Sequence, residues 1–73
     1  MAIDQVPPAV KATIEQESKG GRVKEIDKLP GAQDGKTVYS ADIVMNGKEQ
    51  ETLISEDGRV IMRRAHRKDD DDD

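Results

Sequence analysis

Three turn dipeptides, Asp34-Gly35, Asn46-Gly47 and Asp57-Gly58, punctuate the second half of the chain at near-even spacing, with apolar alternation between them. Such dipeptides supply the positive φ angles that two-residue hairpin turns require, and Asn-Gly is the strongest signal of the three. Placing the turns fixes the registers. A two-residue turn at Asn46-Gly47 pairs Met45 with Lys48, Ile43 with Gln50, Ala41 with Thr52 and Tyr39 with Ile54. One at Asp57-Gly58 pairs Glu56 with Arg59, Ile54 with Ile61 and Leu53 with Met62. The two registers agree with each other. Tyr39, Ala41, Ile43, Thr52, Ile54 and Ile61 fall on one face, and a one-residue slip in either hairpin would scatter them.

Upstream, Val6-Pro7-Pro8 opens a helix. Pro8 disfavours the α conformation at Pro7, so Pro8 is expected at the first helical position. Ala9 to Ser18 contains no breaker, and Val6, Val10 and Ile14 repeat at the helical period with Thr13 beside them. Lys19-Gly20-Gly21 stops the helix. Arg22 to Leu29 reads as a first strand. Val23 and Ile26 lie three apart, so a bulge near Lys24-Glu25 or a late strand start is needed to set both on one face. Pro30 to Gly35 reads as a loop ending in a turn. The expected fold is α+β: one N-terminal helix packed on a four-stranded antiparallel meander, with the helix stripe seated on the Tyr39–Ile54 face.

The opposite face is less ordinary. Val38, Val44, Leu53, Val60 and Met62 share it with Ser40, Asp42, Glu49, Glu51 and Ser55. One helix covers one face, so these five apolar residues form either a partner surface or a solvated face with ordinary strand composition. Glu49 and Glu51 would flank that surface and set orientation, since charges at a rim steer more than they stabilise.

At 73 residues with 33% hydrophobic content, one Tyr and no Phe or Trp, the chain supports one small domain with a thin core. With no Cys it has neither disulfides nor thiolate metal sites. Self-association is one remaining route to stability. The net charge of -4 is concentrated at one end. Without Asp69–Asp73, twelve Lys and Arg face eleven Asp and Glu, a balance of +1, so no global field favours nucleic acid or membrane. Arg63 to Lys68 is a short basic block with no aromatic platform, and the adjacent Asp run competes for it, so nucleic acid is not the expected ligand. Residues 63–73 read as a disordered basic-then-acidic tail beyond a domain spanning residues 5–62.

No stretch approaches the roughly 20 apolar residues of a membrane helix. Met1-Ala2-Ile3-Asp4 is not a signal peptide, which leaves a cytoplasmic protein or one whose leader lies outside this chain. No catalytic constellation stands out. His66 is the single His and falls in the expected tail. Glu15 with Glu17, and Glu49 with Glu51, read as solvated carboxylates. The Asp run lacks the ligand spacing and glycine turn of a calcium loop. No catalytic, metal or cofactor residue is assigned.

Two stretches, Val6-Pro7-Pro8-Ala9-Val10-Lys11-Ala12-Thr13-Ile14-Glu15 and Lys19-Gly20-Gly21-Arg22-Val23-Lys24-Glu25-Ile26, resemble bacterial PepSY-like domains. So do Asp34-Gly35-Lys36-Thr37-Val38-Tyr39, Asn46-Gly47-Lys48-Glu49 and Asp57-Gly58-Arg59-Val60-Ile61. The likeness covers nearly all of positions 5 to 62 and lies in order and spacing, with no single diagnostic motif. It implies a helix on an antiparallel sheet, in a periplasmic or secreted setting. Such domains are similar to the pro-regions of thermolysin-type peptidases and to a secreted β-lactamase inhibitor. The implied role is protein binding without catalysis, inhibition of a peptidase being one form of it, with no catalytic residues to carry over. Ala41 departs from the pattern, where relatives tend to have a larger apolar residue, and so does Gln50, at a position often aromatic or apolar. Two functional readings follow: a binding module for a protein partner as yet unknown, or a self-associating domain whose open sheet face buries against its own copy as a homodimer.

Overall fold

The computed structural model describes residues 1–66, with the backbone alone at His66. After a short turn of 3₁₀ helix at Ile3–Gln5, helix α1 spans Pro8–Glu17 and is followed by strands β1 (Arg22–Gln33), β2 (Lys36–Met45), β3 (Lys48–Ser55) and β4 (Val60–His66). The strands form one antiparallel sheet in the order β1-β2-β3-β4. The fold is α+β, one helix on a four-stranded meander.

Local chemistry accounts for the element ends. Pro8 sits at the first helical position, where its missing N–H costs nothing. The helix stops at Glu17, and Gly20 takes φ +86° three residues on. Asp34-Gly35 and Asn46-Gly47 both adopt positive φ at their two central residues, at 48° and 79° and at 52° and 76°. These are type I′ turns, whose twist matches that of the flanking strands. The β2–β3 ladder carries every pairing expected from Asn46-Gly47, from Met45 with Lys48 to Tyr39 with Ile54.

The core lies between helix and sheet. Val6, Val10 and Ile14 pack against Ile26, Tyr39, Ala41, Ile43 and Ile54, with Ile3, Val23 and Met45 partly buried at the margin. Thr52 is fully buried among them. Ala41 is also fully buried, so the small side chain at this position sits inside a closed core.

Three expectations are corrected. First, β1 does not end at Leu29; it continues through Pro30 to Gln33. It is an outer strand, and an outer strand tolerates a residue without an N–H. The ladder steps from Leu29–Val38 to Gln33–Lys36, so β1 spends three residues where β2 spends one. Gly31 at φ +69° turns within that bulge. The expected bulge near Lys24-Glu25 is present: Val23 pairs with Ile43 and Glu25 with Asp42, leaving Lys24 as the extra residue.

Second, Asp57-Gly58 is not a two-residue turn. Residues 56–59 all lie between the strands, and the Ser55 N–H donates to the Arg59 carbonyl at 2.8 Å. Leu53 pairs with Met62 as expected, but a bulge follows and Ile54 pairs with Val60 instead of Ile61. Ile61 is therefore 37% exposed and outside the core. The longer turn serves the helix. Gly58 packs against Ala9, and the Thr13 hydroxyl donates to the Gly58 carbonyl oxygen.

Third, the expected disorder does not begin at residue 63, because β4 runs on to His66. Arg63, Arg64, Ala65 and His66 pair with Thr52, Glu51, Gln50 and Glu49 as a continuous part of β4. Inter-strand hydrogen bonding and an ion pair to α1 outweigh the polar composition of this stretch. The Arg63 guanidinium donates to both carboxylate oxygens of Glu17, at 2.8 and 2.9 Å. The expectation of disorder for residues 67–73 lies outside the described residues.

Candidate functional site: the open face of the sheet

The strand registers lay out the face turned away from α1 as cross-strand rows. Asp27, Ser40, Leu53 and Met62 form one row. Glu25, Asp42, Glu51 and Arg64 form the next. Leu29, Val38 and Ser55 flank the first row, and Val44 with Glu49 flank the second. Directly opposed side chains in such rows stand close enough to interact. The face is thus an apolar strip of Leu29, Leu53 and Met62 beside a band of carboxylates.

The residues singled out in the sequence are not equivalent. Met62 is 45% exposed, while Val44, Leu53 and Val60 are half-buried. Val38 is 3% exposed, enclosed on an inner strand between Leu29 and Ser55, and offers almost no surface. Val60 lies at the bulge, opposite Ile54, away from the strip. Leu29, at 37% exposure, belongs with Leu53 and Met62.

The glutamates are placed differently from a rim. Both lie on the inner strand β3. Glu51 accepts a hydrogen bond from the buried Ser40 hydroxyl at 2.8 Å and faces the Arg64 guanidinium at 3.8 Å. Glu49 is bridged by the Lys24 ammonium at 3.3 Å. Lys24 is the bulged residue of β1, so the irregularity in that strand places a cation on this band. Fixed in this way, the carboxylates form a pre-set acidic surface.

Glu25 and Asp27 were missed as members of the band. Part of the signal was present: with Ile26 facing the helix Asp27 must face away, while Glu25 joins it only because the bulge falls at Lys24 and not at Glu25 itself.

Elsewhere, a shallow groove at the β3–β4 turn is lined by Lys36, Ser55, Glu56, Asp57 and Arg59 among others. Three of its polar residues, Ser55, Asp57 and Arg59, engage each other. The Ser55 hydroxyl donates to the Asp57 carboxylate, which also faces Arg59 at 3.4 Å. The Ser55 contact, with help from Arg59, holds the Asp57 carboxyl below its ordinary pKa. Among the described residues no three His, Cys, Asp or Glu side chains converge in a way that would hold a metal ion. No helix there is long and apolar enough to cross a membrane.

No family model matches the sequence, and no curated protein does either. Among solved structures, that of a DUF2874 family protein from Bacteroides uniformis is similar, with a TM-score of 0.73 at 23% identity. The match covers 88% of this chain and 48% of that one. The chain therefore spans about half the length of that protein, and the likeness is one of fold.

Proposed function

We propose that this chain is a non-catalytic protein-binding module that holds its partner on the open sheet face. The observation that carries the reading is the pairing of an exposed apolar strip, Leu29, Leu53 and Met62, with the carboxylate band of Glu25, Asp27, Asp42, Glu49 and Glu51. Among the described residues nothing covers this face, whereas the other face is closed by α1. A partner that fits carries basic side chains beside apolar ones. Apolar burial supplies the affinity, and the charged band supplies encounter rate and register.

The resemblance to PepSY-like domains supports a periplasmic or secreted setting, with inhibition of a peptidase as one form of the binding. The alternative, a homodimer formed face to face, is weaker on charge. Two copies would bring five carboxylates each into one interface, outnumbering Arg22, Lys24 and Arg64, and like charges juxtaposed cost several kcal/mol by general experience.

The test is titration of the chain against immobilised peptides in which Lys and Leu alternate. Saturable binding that weakens with added salt is expected. It should be lost in a Leu53→Glu, Met62→Glu variant and weakened roughly tenfold or more in Glu25→Lys, Asp42→Lys, on the scale of rim-charge effects. Binding that is identical across wild type and both variants sinks the reading.

A further inference from the structure

Lys24 owes its place on the open face to an irregularity. It is the extra residue of the β1 bulge, set between Val23, which pairs with Ile43, and Glu25, which pairs with Asp42. Successive side chains of an unbroken strand point to opposite faces, so without the bulge Lys24 and Glu25 could not share one. Bulges re-aim side chains in this way and recur beside binding sites.

The Lys24 ammonium does not turn to Glu25 beside it. It reaches over β2 to the Glu49 carboxylate on β3, at 3.3 Å. Two strand spacings, about 9–10 Å, separate β1 from β3, so the stem of Lys24 is extended across β2. Val44, half-buried, stands directly opposite Glu49. A cation arriving from solvent would meet the same carboxylate, with Val44 beside it for an aliphatic stem.

This bridge is poorly suited to a permanent tie. The Lys24 side chain is 58% exposed and that of Glu49 31%. A single ammonium contact on a solvated surface adds little stability, and it orders a long flexible stem. Arg63 and Glu17 show the contrast, with two bonds at 2.8 and 2.9 Å joining helix to sheet.

We infer that Glu49 is the seat for one Lys or Arg side chain of the partner, and that Lys24 fills this seat in the free protein and is displaced on binding. The inference rests on the binding role proposed above and adds a built-in competitor to it. Competition by Lys24 lowers the affinity of every basic ligand. Only a ligand that also buries apolar side chains against Leu53 and Met62 then binds well, which turns a general acidic attraction into selectivity.

Titration against the same immobilised peptides of alternating Lys and Leu tests it, with the folding of each variant followed by circular dichroism. Lys24→Gln should bind roughly two- to fivefold more tightly than wild type, the scale of a surface ion pair. Lys24→Arg, which keeps a cation, should not tighten binding. Glu49→Gln should bind more weakly, and in that background Lys24→Gln should add little. Arg22→Gln controls for general charge, because Arg22 lies in the row of Val44 and Glu49 and any gain from its removal should persist in Glu49→Gln. A gain from Lys24→Gln that persists in full in Glu49→Gln overturns the inference. So does a wild type that binds while Lys24→Gln binds no better or less well, since Lys24 would then be idle or hold Glu49 in place for the partner. Peptide binding that is absent from wild type and Lys24→Gln alike removes the binding role itself, and this inference with it.

Discussion

At Gly58 the backbone takes φ +91°, and a Cβ there would stand 2.7 Å from the Ala9 carbonyl oxygen. The first feature alone strains any L residue, and the second removes the freedom to relax, because the obstacle is backbone of α1 rather than a flexible side chain. The Gly58 carbonyl also accepts the Thr13 hydroxyl, so a shift of the turn would loosen the helix contact. Gly58→Ala is therefore expected to destabilise the fold by about 2 kcal/mol or more, read as a lowered urea midpoint. Gly47→Ala makes a useful control, because Gly47 shares a positive φ of 76° but meets nothing within 4 Å. It should cost only the conformational part. Equal losses at the two sites would show that the close approach to α1 is irrelevant.

At the scale of elements, α1 and β4 are joined by Glu17 and Arg63. The bidentate guanidinium holds the Glu17 carboxyl below its ordinary pKa and raises that of Arg63. A carboxyl whose folded-state pKa is depressed adds stability above its unfolded pKa, and that stability is lost as pH falls through the folded value. Glu17→Gln should accordingly lower the urea midpoint at neutral pH, and the gap to wild type should close below the ordinary glutamate range. A gap that stays constant down to acid pH would assign the effect to packing.

That pair was invisible in the sequence because Arg63 reads as the first residue of a polar tail. Only the continued pairing of β4 to His66, which sets Arg63 opposite the buried Thr52, brings it to the helix. The β2–β3 register, by contrast, was fully readable from Asn46-Gly47, because turn chemistry and apolar alternation pointed the same way. Where the two signals parted, reading failed. Asp57-Gly58 looked like the other turns, but its glycine serves a contact with α1 inside a longer loop. Pro30 looked like a strand end, but an outer strand tolerates it. The candidate site shared this fate. Leu53 and Met62 followed from alternation, as Asp27 does once Ile26 is set against the helix, while Glu25 depended on the exact position of a bulge.

For the whole molecule, the asymmetry between inner and outer strands sets where it opens first. The fully buried sheet residues Ala41, Ile43, Thr52 and Ile54 all lie on β2 and β3, the strands paired on both sides. β1 contributes one buried residue, Ile26, and its Pro30–Gln33 end is exposed throughout and bulged away from the ladder. Few apolar contacts and irregular hydrogen bonding define the low end of local stability. Amide hydrogen exchange should therefore be slowest at Tyr39, Ala41, Ile43, Thr52 and Ile54, approaching the global unfolding rate, and fastest in β1 beyond Leu29. β4 should fall between, because Arg63 anchors one part of it to α1 while its outer edge is unpaired in a single copy. Exchange that is uniform across the four strands would mean that the sheet opens as one unit, and that the bulges of β1 carry no local cost.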